Sequence, residues 1–170
     1  IDVILQPLFK VEANKGEIRR AVDSLNGAEA FGYYSELNKR ALNAANAFTI
    51  LLSDQKAKQH LLQGLNLARL KERLGQRRGK INAMLAKQSI NPNTKAEINS
   101  YTDDISYLAE KLTLGLTGEF KSEFASSISS STSTQVESIA ANVVASDVNF
   151  ASLPNNNEWF ALATAQIGQI

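Results

Sequence analysis

The chain contains no cysteine, and this absence excludes several kinds of chemistry. Disulfides, thiolate nucleophiles, cysteine-ligated zinc and iron–sulfur clusters all need a thiol side chain. The chain has one histidine, His60, so it cannot assemble a multi-histidine metal site. Helical di-iron sites use Glu-x-x-His motifs, but position 57 is alanine. We therefore expect no metal, no cofactor and an ordinary helix position for His60.

Long apolar runs are also missing. A membrane-spanning helix needs about 20 predominantly apolar residues, whereas the longest apolar stretches, such as residues 48–52, are far shorter. The sequence predicts no transmembrane segment. Its composition leaves the compartment open.

Catalytic motifs are absent as well. No G-x-S-x-G elbow, G-x-G-x-x-G loop or phosphate-binding P-loop occurs. The adjacent carboxylates Asp103 and Asp104 point about 100° apart on a helix, so they do not face each other. Glu119 and Glu123 do share a helix face, but an amphipathic helix explains their spacing. We predict no catalytic residue and a protein that is not an enzyme.

Apolar residues recur at helical spacing, and strand-like alternation is nowhere sustained. The clearest stripe steps by three and four residues and consists of Ile98, Tyr101, Ile105, Leu108 and Leu112. Similar stripes predict helices over residues 14–26, 28–52, 54–88, 95–128, 134–146 and 156–168. The predicted fold is all-α, an antiparallel helical bundle of two to four long helices with shorter C-terminal helices.

Four capping-box spacings predict where helices begin, because a side-chain oxygen and a glutamate three residues later satisfy each other's backbone donors. They are Asn14–Glu17, Thr94–Glu97, Thr134–Glu137 and Asn155–Glu158. Glycines at positions 75 and 79 destabilise a helix interior. They predict a kink, a break or a close backbone approach within residues 54–88.

The apolar residues at the N-terminal end lack the helical spacing found in the rest of the chain. Residues 1–13 are predicted to form an extended arm, and residues 14–170 a single helical-bundle domain. Four apolar residues of the arm are candidate partner contacts: Ile4, Leu5, Leu8 and Phe9. Trp159 and Phe160, near the other end, either cover the protein's own core or anchor a partner.

Charge is segregated along the sequence. Residues 1–90 carry 15 Lys and Arg against 8 Asp and Glu, a balance of +7. Residues 91–170 carry 3 against 9, a balance of −6. Either the basic half folds back on the acidic half, or the two surfaces pair with other molecules.

Positive charge is densest between residues 69 and 87, which we call the basic segment. Its candidate ligand-binding residues are Arg69, Lys71, Arg73, Arg77, Arg78 and Lys80, and Lys87 follows. Such a cluster could follow the phosphates of a polyanion. No aromatic residue is interleaved to stack on bases, and the sequence pI is only about 8.1. An acidic protein surface, internal or on a partner, is therefore favoured over nucleic acid.

These features favour a structural or protein-interaction subunit of a larger assembly. The apolar arm, the aromatic C-terminal segment and the complementary charged faces would hold it to other subunits, identical or different. Two alternatives remain open. One is a coat or scaffold protein that binds a polyanion such as nucleic acid through the basic segment. The other is a helical carrier of an apolar small ligand or lipid.

Overall fold

The computed structural model describes residues 6, 15–24 and 27–170. Its helices are α1 (Lys15–Asp23), α2 (Gly27–Phe48), α3 (Gln55–Lys87), α4 (Pro92–Gly115), α5 (Gly118–Ile128), α6 (Ser131–Val143) and α7 (Asn156–Gln169). Short 3₁₀ turns follow α2 and precede α7. No strand occurs in the described residues. The all-α prediction is confirmed, with several long helices packed as a bundle.

The chain divides into two compact units, residues 1–68 and 69–170. The first unit contains α1, α2 and the beginning of α3. The second contains the rest of α3 together with α4 to α7. Apart from Gln6, the predicted arm over residues 1–13 lies outside the described residues. The single domain predicted for residues 14–170 stays a prediction.

The second unit has a continuous apolar core. Helices α3, α4, α6 and α7 each contribute residues to it, and Trp159 and Ile81 are completely inaccessible to solvent. The buried members of the core are Ile81, Met84, Leu85, Ile98, Val136, Ala140, Val143, Trp159 and Ala163. The cluster fixes α7 against the C-terminal part of α3, which carries the basic segment.

Two helices begin where local sequence signals favour a start. Asn155 and Glu158 form the predicted capping box at the start of α7, so this prediction is confirmed. Helix α4 begins earlier than predicted. The Asn91 side chain accepts from the Thr94 backbone at 2.8 Å, so Thr94 is not the cap. Pro92 explains the shift, because proline lacks a backbone N–H and suits the first helical position.

Helix α6 also begins earlier than predicted. Ser130 is its cap and accepts from the backbone N–H of Ser133 at 3.2 Å. Thr134 is therefore a helix-interior residue, and its hydroxyl donates to the Ser130 carbonyl at 3.0 Å. The predicted box of Thr134 with Glu137 is wrong. The Glu137 carboxylate instead takes Arg77 as its partner.

Two predictions about helix continuity are corrected. The single helix predicted over residues 95–128 is two helices, because Leu116 and Thr117 are extended and Gly118 has a φ of 60° that favours glycine. Conversely, α3 is uninterrupted from Gln55 to Lys87. The predicted break is therefore wrong. A Cβ added at Gly75 would meet no atom of the described residues within 4 Å, so none of their backbone approaches Gly75 closely.

Candidate functional site

Three cations of the basic segment are paired with carboxylates inside the second unit. Arg73 Nε lies 2.8 Å from an Asp104 oxygen, and Lys80 Nζ lies 2.8 Å from a Glu97 oxygen. Both pairs are half-exposed, and such pairs typically contribute about 0–1 kcal/mol. Much of the positive charge that suggested a polyanion surface is therefore neutralised within the fold.

The third pair, Arg77 with Glu137, is different because Arg77 is only 1% exposed. Its guanidinium donates from both terminal nitrogens to the two carboxylate oxygens of Glu137, in the bidentate geometry that suits this pair. Thr102 accepts a longer bond of 3.4 Å from Arg77, and Gln166 donates to Glu137 at 3.1 Å. The four side chains join α3, α4, α6 and α7 in one network.

The network sets the protonation of Glu137. Partial burial opposes ionisation of this carboxyl, but the hydrogen bond and charge of Arg77 and the Gln166 amide outweigh it. The pKa of Glu137 is therefore lowered from its ordinary value of 4.5. A lowered carboxyl pKa stabilises the folded state above the unfolded pKa, and this stabilisation is lost as pH falls through the folded pKa.

We expect the free energy of unfolding to fall as the pH drops below about 4.5. In Glu137→Gln this loss should be smaller, because the group that takes up the proton is gone. Urea unfolding between neutral pH and about pH 3 measures the slope for both proteins. Glu119→Gln, which alters an exposed carboxylate on α5, is the control. Equal slopes in Glu137→Gln and the wild type would contradict the assignment.

Arg78, the next residue, has no carboxylate within 4.0 Å among the described residues. Its Nη1 donates to the Thr164 hydroxyl at 2.7 Å. Its guanidinium lies over the Phe160 ring, 4.4 Å from the centroid. Its backbone carbonyl accepts from the Trp159 indole at 3.0 Å. All three partners belong to α7. This helix therefore contacts a cation that has no carboxylate partner among the described residues.

Two buried polar atoms near this cation have no hydrogen-bond partner in the part of the chain described: Arg78 Nε and Asn82 Oδ1. Partial burial lowers the pKa of Arg78, although an arginine stays charged near neutral pH. An unsatisfied buried polar group costs about 1–3 kcal/mol. Asn82 is four residues after Arg78, hence on the same face of α3. Neither atom has a hydrogen bond to the described residues that a ligand would have to break.

The remaining members of the basic segment are half-buried or exposed. Arg69 and Lys71, at the start of the second unit, form no ion pair in residues 15–24 or 27–170. Lys87 is exposed at the end of α3. The sequence thus located the segment that contains Arg78. It did not separate Arg78 from the cations that have internal partners, and it did not identify Asn82.

The other candidates from the sequence do not converge on a site. His60 is exposed on α3, as are Asp103 on α4 and both Glu119 and Glu123 on α5, while Asp104 pairs with Arg73. No group of three or more potential metal ligands occurs among the residues described. No described helix has the length and apolarity needed to cross a membrane.

The candidate partner contacts have different outcomes. The arm residues, Ile4, Leu5, Leu8 and Phe9, lie outside the described residues. Trp159 is completely buried in the core of the second unit, as the core-covering interpretation expects, so it presents no surface to a partner. Phe160 is 44% exposed and lies beside the Arg78 guanidinium. Phe160 therefore contacts the Arg78 side chain, and Trp159 contacts the Arg78 backbone carbonyl.

Comparisons with known proteins add the family. No curated protein and no solved structure matches the chain. The family model described as nitrate and nitrite sensing matches residues 5–170, which is nearly the whole chain. The chain therefore belongs to the nitrate and nitrite sensing (NIT) domain family.

Proposed function

We propose that this chain binds nitrate or nitrite and acts as a sensor domain, with Arg78 as the residue that holds the anion. The observation that carries the proposal is the state of Arg78: a cation without a carboxylate partner, with a buried Nε that has no acceptor. Nitrate and nitrite are small, planar and singly charged, and they accept hydrogen bonds without donating any. One guanidinium edge suits such an ion.

Arg77 is less suited to this role, although it is the neighbouring residue. Glu137 already occupies its terminal nitrogens, and the pair is held further by Gln166. An anion that displaced Glu137 would leave a carboxylate without its counter-charge, which is costly at a partly buried site. Arg78 can take an anion without breaking an ion pair.

The surroundings of Arg78 support a small planar ligand. The Phe160 ring lies 4.4 Å, measured to its centroid, from the guanidinium carbon, so an anion approaches Arg78 on the side away from this ring. The Thr164 hydroxyl accepts from Arg78 and donates to the Phe160 carbonyl at 2.6 Å. A hydroxyl can rotate and donate to a bound anion instead. Partial burial strengthens each of these electrostatic interactions relative to water.

A sensor must also pass on the binding event, and α7 is placed to do so. It carries Trp159, Phe160 and Thr164, which contact Arg78, and Gln166, which contacts Glu137. An anion that draws the Arg78 side chain or the Thr164 hydroxyl towards itself changes the contacts of this helix. A ligand shifts a conformational equilibrium through such differences in contact.

The earlier hypotheses draw no support from the family's description. It names neither an assembly subunit, nor a polyanion-binding coat, nor a carrier of apolar ligands. The family is described by what it senses and not by a reaction. That the chain is not an enzyme agrees with this description and stays a prediction.

The proposal predicts that Arg78→Gln weakens nitrate binding by about 10- to 100-fold, since a hydrogen bond to a charged group contributes about 1.5–3 kcal/mol. Trp159 is the only tryptophan, so its indole N–H gives a single NMR resonance, and it bonds to the Arg78 carbonyl. We would titrate sodium nitrate against sodium chloride at constant ionic strength. The wild-type resonance should shift and saturate.

Arg69→Gln is the matched control, because it removes one positive charge from the same helix. It should bind nitrate within about twofold of the wild type, since long-range charge effects are screened at physiological salt. Wild-type spectra that ignore nitrate and nitrite would contradict the proposed function. A folded Arg78→Gln protein with unchanged affinity would contradict the role of Arg78.

A further inference from the structure

The Asn82 side chain makes no hydrogen bond to any described residue, although its amide oxygen is buried. Buried side-chain polar atoms in folded proteins nearly always have a partner. Asn82 belongs to the half-buried face of α3 and lies next to Ile81, which is completely buried. An amide in such a place without a partner is a destabilising feature, unless something outside the chain satisfies it.

The position of Asn82 relative to Arg78 suggests which kind of molecule satisfies the Asn82 amide. Residues four apart on a helix are neighbours, with their Cβ atoms about 5–6 Å apart. The two unpartnered buried atoms therefore belong to adjacent side chains on one helix face: a donor at Arg78 Nε and an acceptor at Asn82 Oδ1. A ligand that contacted both atoms would therefore need to reach only one face of α3.

The Asn82 amide can present either of its ends. Its oxygen and nitrogen exchange places when the amide turns by about 180°, and no hydrogen bond to the described residues holds it in either orientation. Its nitrogen is not among the buried atoms without a partner, so it reaches solvent. After this rotation of the amide, the Asn82 oxygen faces solvent and its NH₂ group takes the buried position.

We infer that Asn82 is a second anion-contacting residue of this site and helps to set its specificity. This inference rests on the proposed function. In the bound state the Asn82 amide donates to one oxygen of the anion, while Arg78 Nε donates to another. Two donors then meet two oxygens of one planar ion, and both unsatisfied positions are filled.

The arrangement defines a class of ligand. One guanidinium supplies a single positive charge, so a singly charged anion is neutralised, whereas sulfate leaves a negative charge in a partly buried site. With the amide turned, Arg78 and Asn82 offer only donors, so a ligand that must itself donate, such as hydrogen phosphate, finds no acceptor on either of these side chains. The site therefore favours nitrate and nitrite over sulfate and phosphate.

Asn82→Asp tests this inference. The change keeps the shape of the side chain but replaces the donor with a carboxylate, which repels the anion and gives Arg78 a counter-charge of its own. We expect nitrate affinity to fall by about 100-fold or more, and Asn82→Ala to lower it by about 10-fold. The measurement is the nitrate titration of the Trp159 indole resonance in the full chain. The thermal midpoint of each variant is checked first.

Asn99→Asp is the matched control, because it adds the same charge at an exposed position of α4. It should bind nitrate as the wild type does. Sulfate and phosphate titrations should leave the wild-type resonance unshifted, and a saturable shift with either would overturn the specificity.

The outcomes separate this inference from the proposed function. Wild-type protein that does not respond to nitrate overturns both. Wild-type binding together with unchanged affinity in folded Asn82→Asp and Asn82→Ala overturns only the role of Asn82. In that case a water molecule, not the anion, satisfies its amide. If Asn82→Asp does not fold, Asn82→Ala alone decides, since unchanged affinity in it is sufficient to overturn the inference.

Discussion

Replacing Glu137 with alanine is expected to destabilise the second unit by about 2–4 kcal/mol, at or below the usual cost of breaking a buried ion pair, because Arg77 is buried but the Glu137 side chain is 44% exposed. The reason is the position of Arg77, whose guanidinium is 1% exposed and accepted by both oxygens of Glu137. Without the carboxylate, the buried positive charge keeps, among the described side chains, only the Thr102 hydroxyl at 3.4 Å. Gln166 also loses an acceptor.

Urea unfolding followed by Trp159 fluorescence measures this effect, because the only tryptophan lies in the core of the second unit. Glu123→Ala, at an exposed position of α5, is the control and should change stability by less than about 0.5 kcal/mol. The double variant Arg77→Met with Glu137→Leu should regain much of the loss, because an apolar pair needs no counter-charge. A single Glu137→Ala change no larger than the control would contradict a structural role for the pair.

The fold was predictable from the sequence where the signals are local. The period of the apolar residues in α4 and the capping box of Asn155 with Glu158 both depend on residues within a few positions of each other. The start of a helix was wrongly predicted where two local signals compete. Ser130 and Thr134 can each cap a helix, and only the packing of α6 decides between them.

The site was predictable only as a segment. Arg77 and Arg78 are adjacent and chemically identical, yet one is neutralised and the other is not. Adjacent helix residues point about 100° apart, so their partners come from different elements: Glu137 is 60 residues away and Thr164 is 86 residues away. No spacing rule connects residues so distant in sequence. Asn82 belongs to no motif, and it becomes notable only because its buried oxygen has no partner.

Trp159→Ala should be similarly damaging, at about 3–5 kcal/mol, the usual cost of removing a large aromatic side chain from a core. Trp159 is completely buried among residues of α3, α4 and α6, and its indole donates to the Arg78 carbonyl at 3.0 Å. Urea unfolding followed by circular dichroism measures the loss. Tyr107→Ala, which removes a 61% exposed aromatic residue from α4, should cost far less. A Trp159→Ala loss below about 1 kcal/mol would contradict this packing.

Trp159→Phe separates packing from the hydrogen bond, because phenylalanine keeps a ring but cannot donate to Arg78. We expect a smaller loss of stability, about 1–3 kcal/mol, from the missing hydrogen bond and the reduced volume. Nitrate binding, measured by calorimetry, should weaken in this variant if the indole holds the turn of α3 that carries Arg78 in place. Unchanged affinity would mean that the core alone positions Arg78. A weakened affinity with an intact fold would mean that the indole bond from α7 helps to hold Arg78 in the anion site.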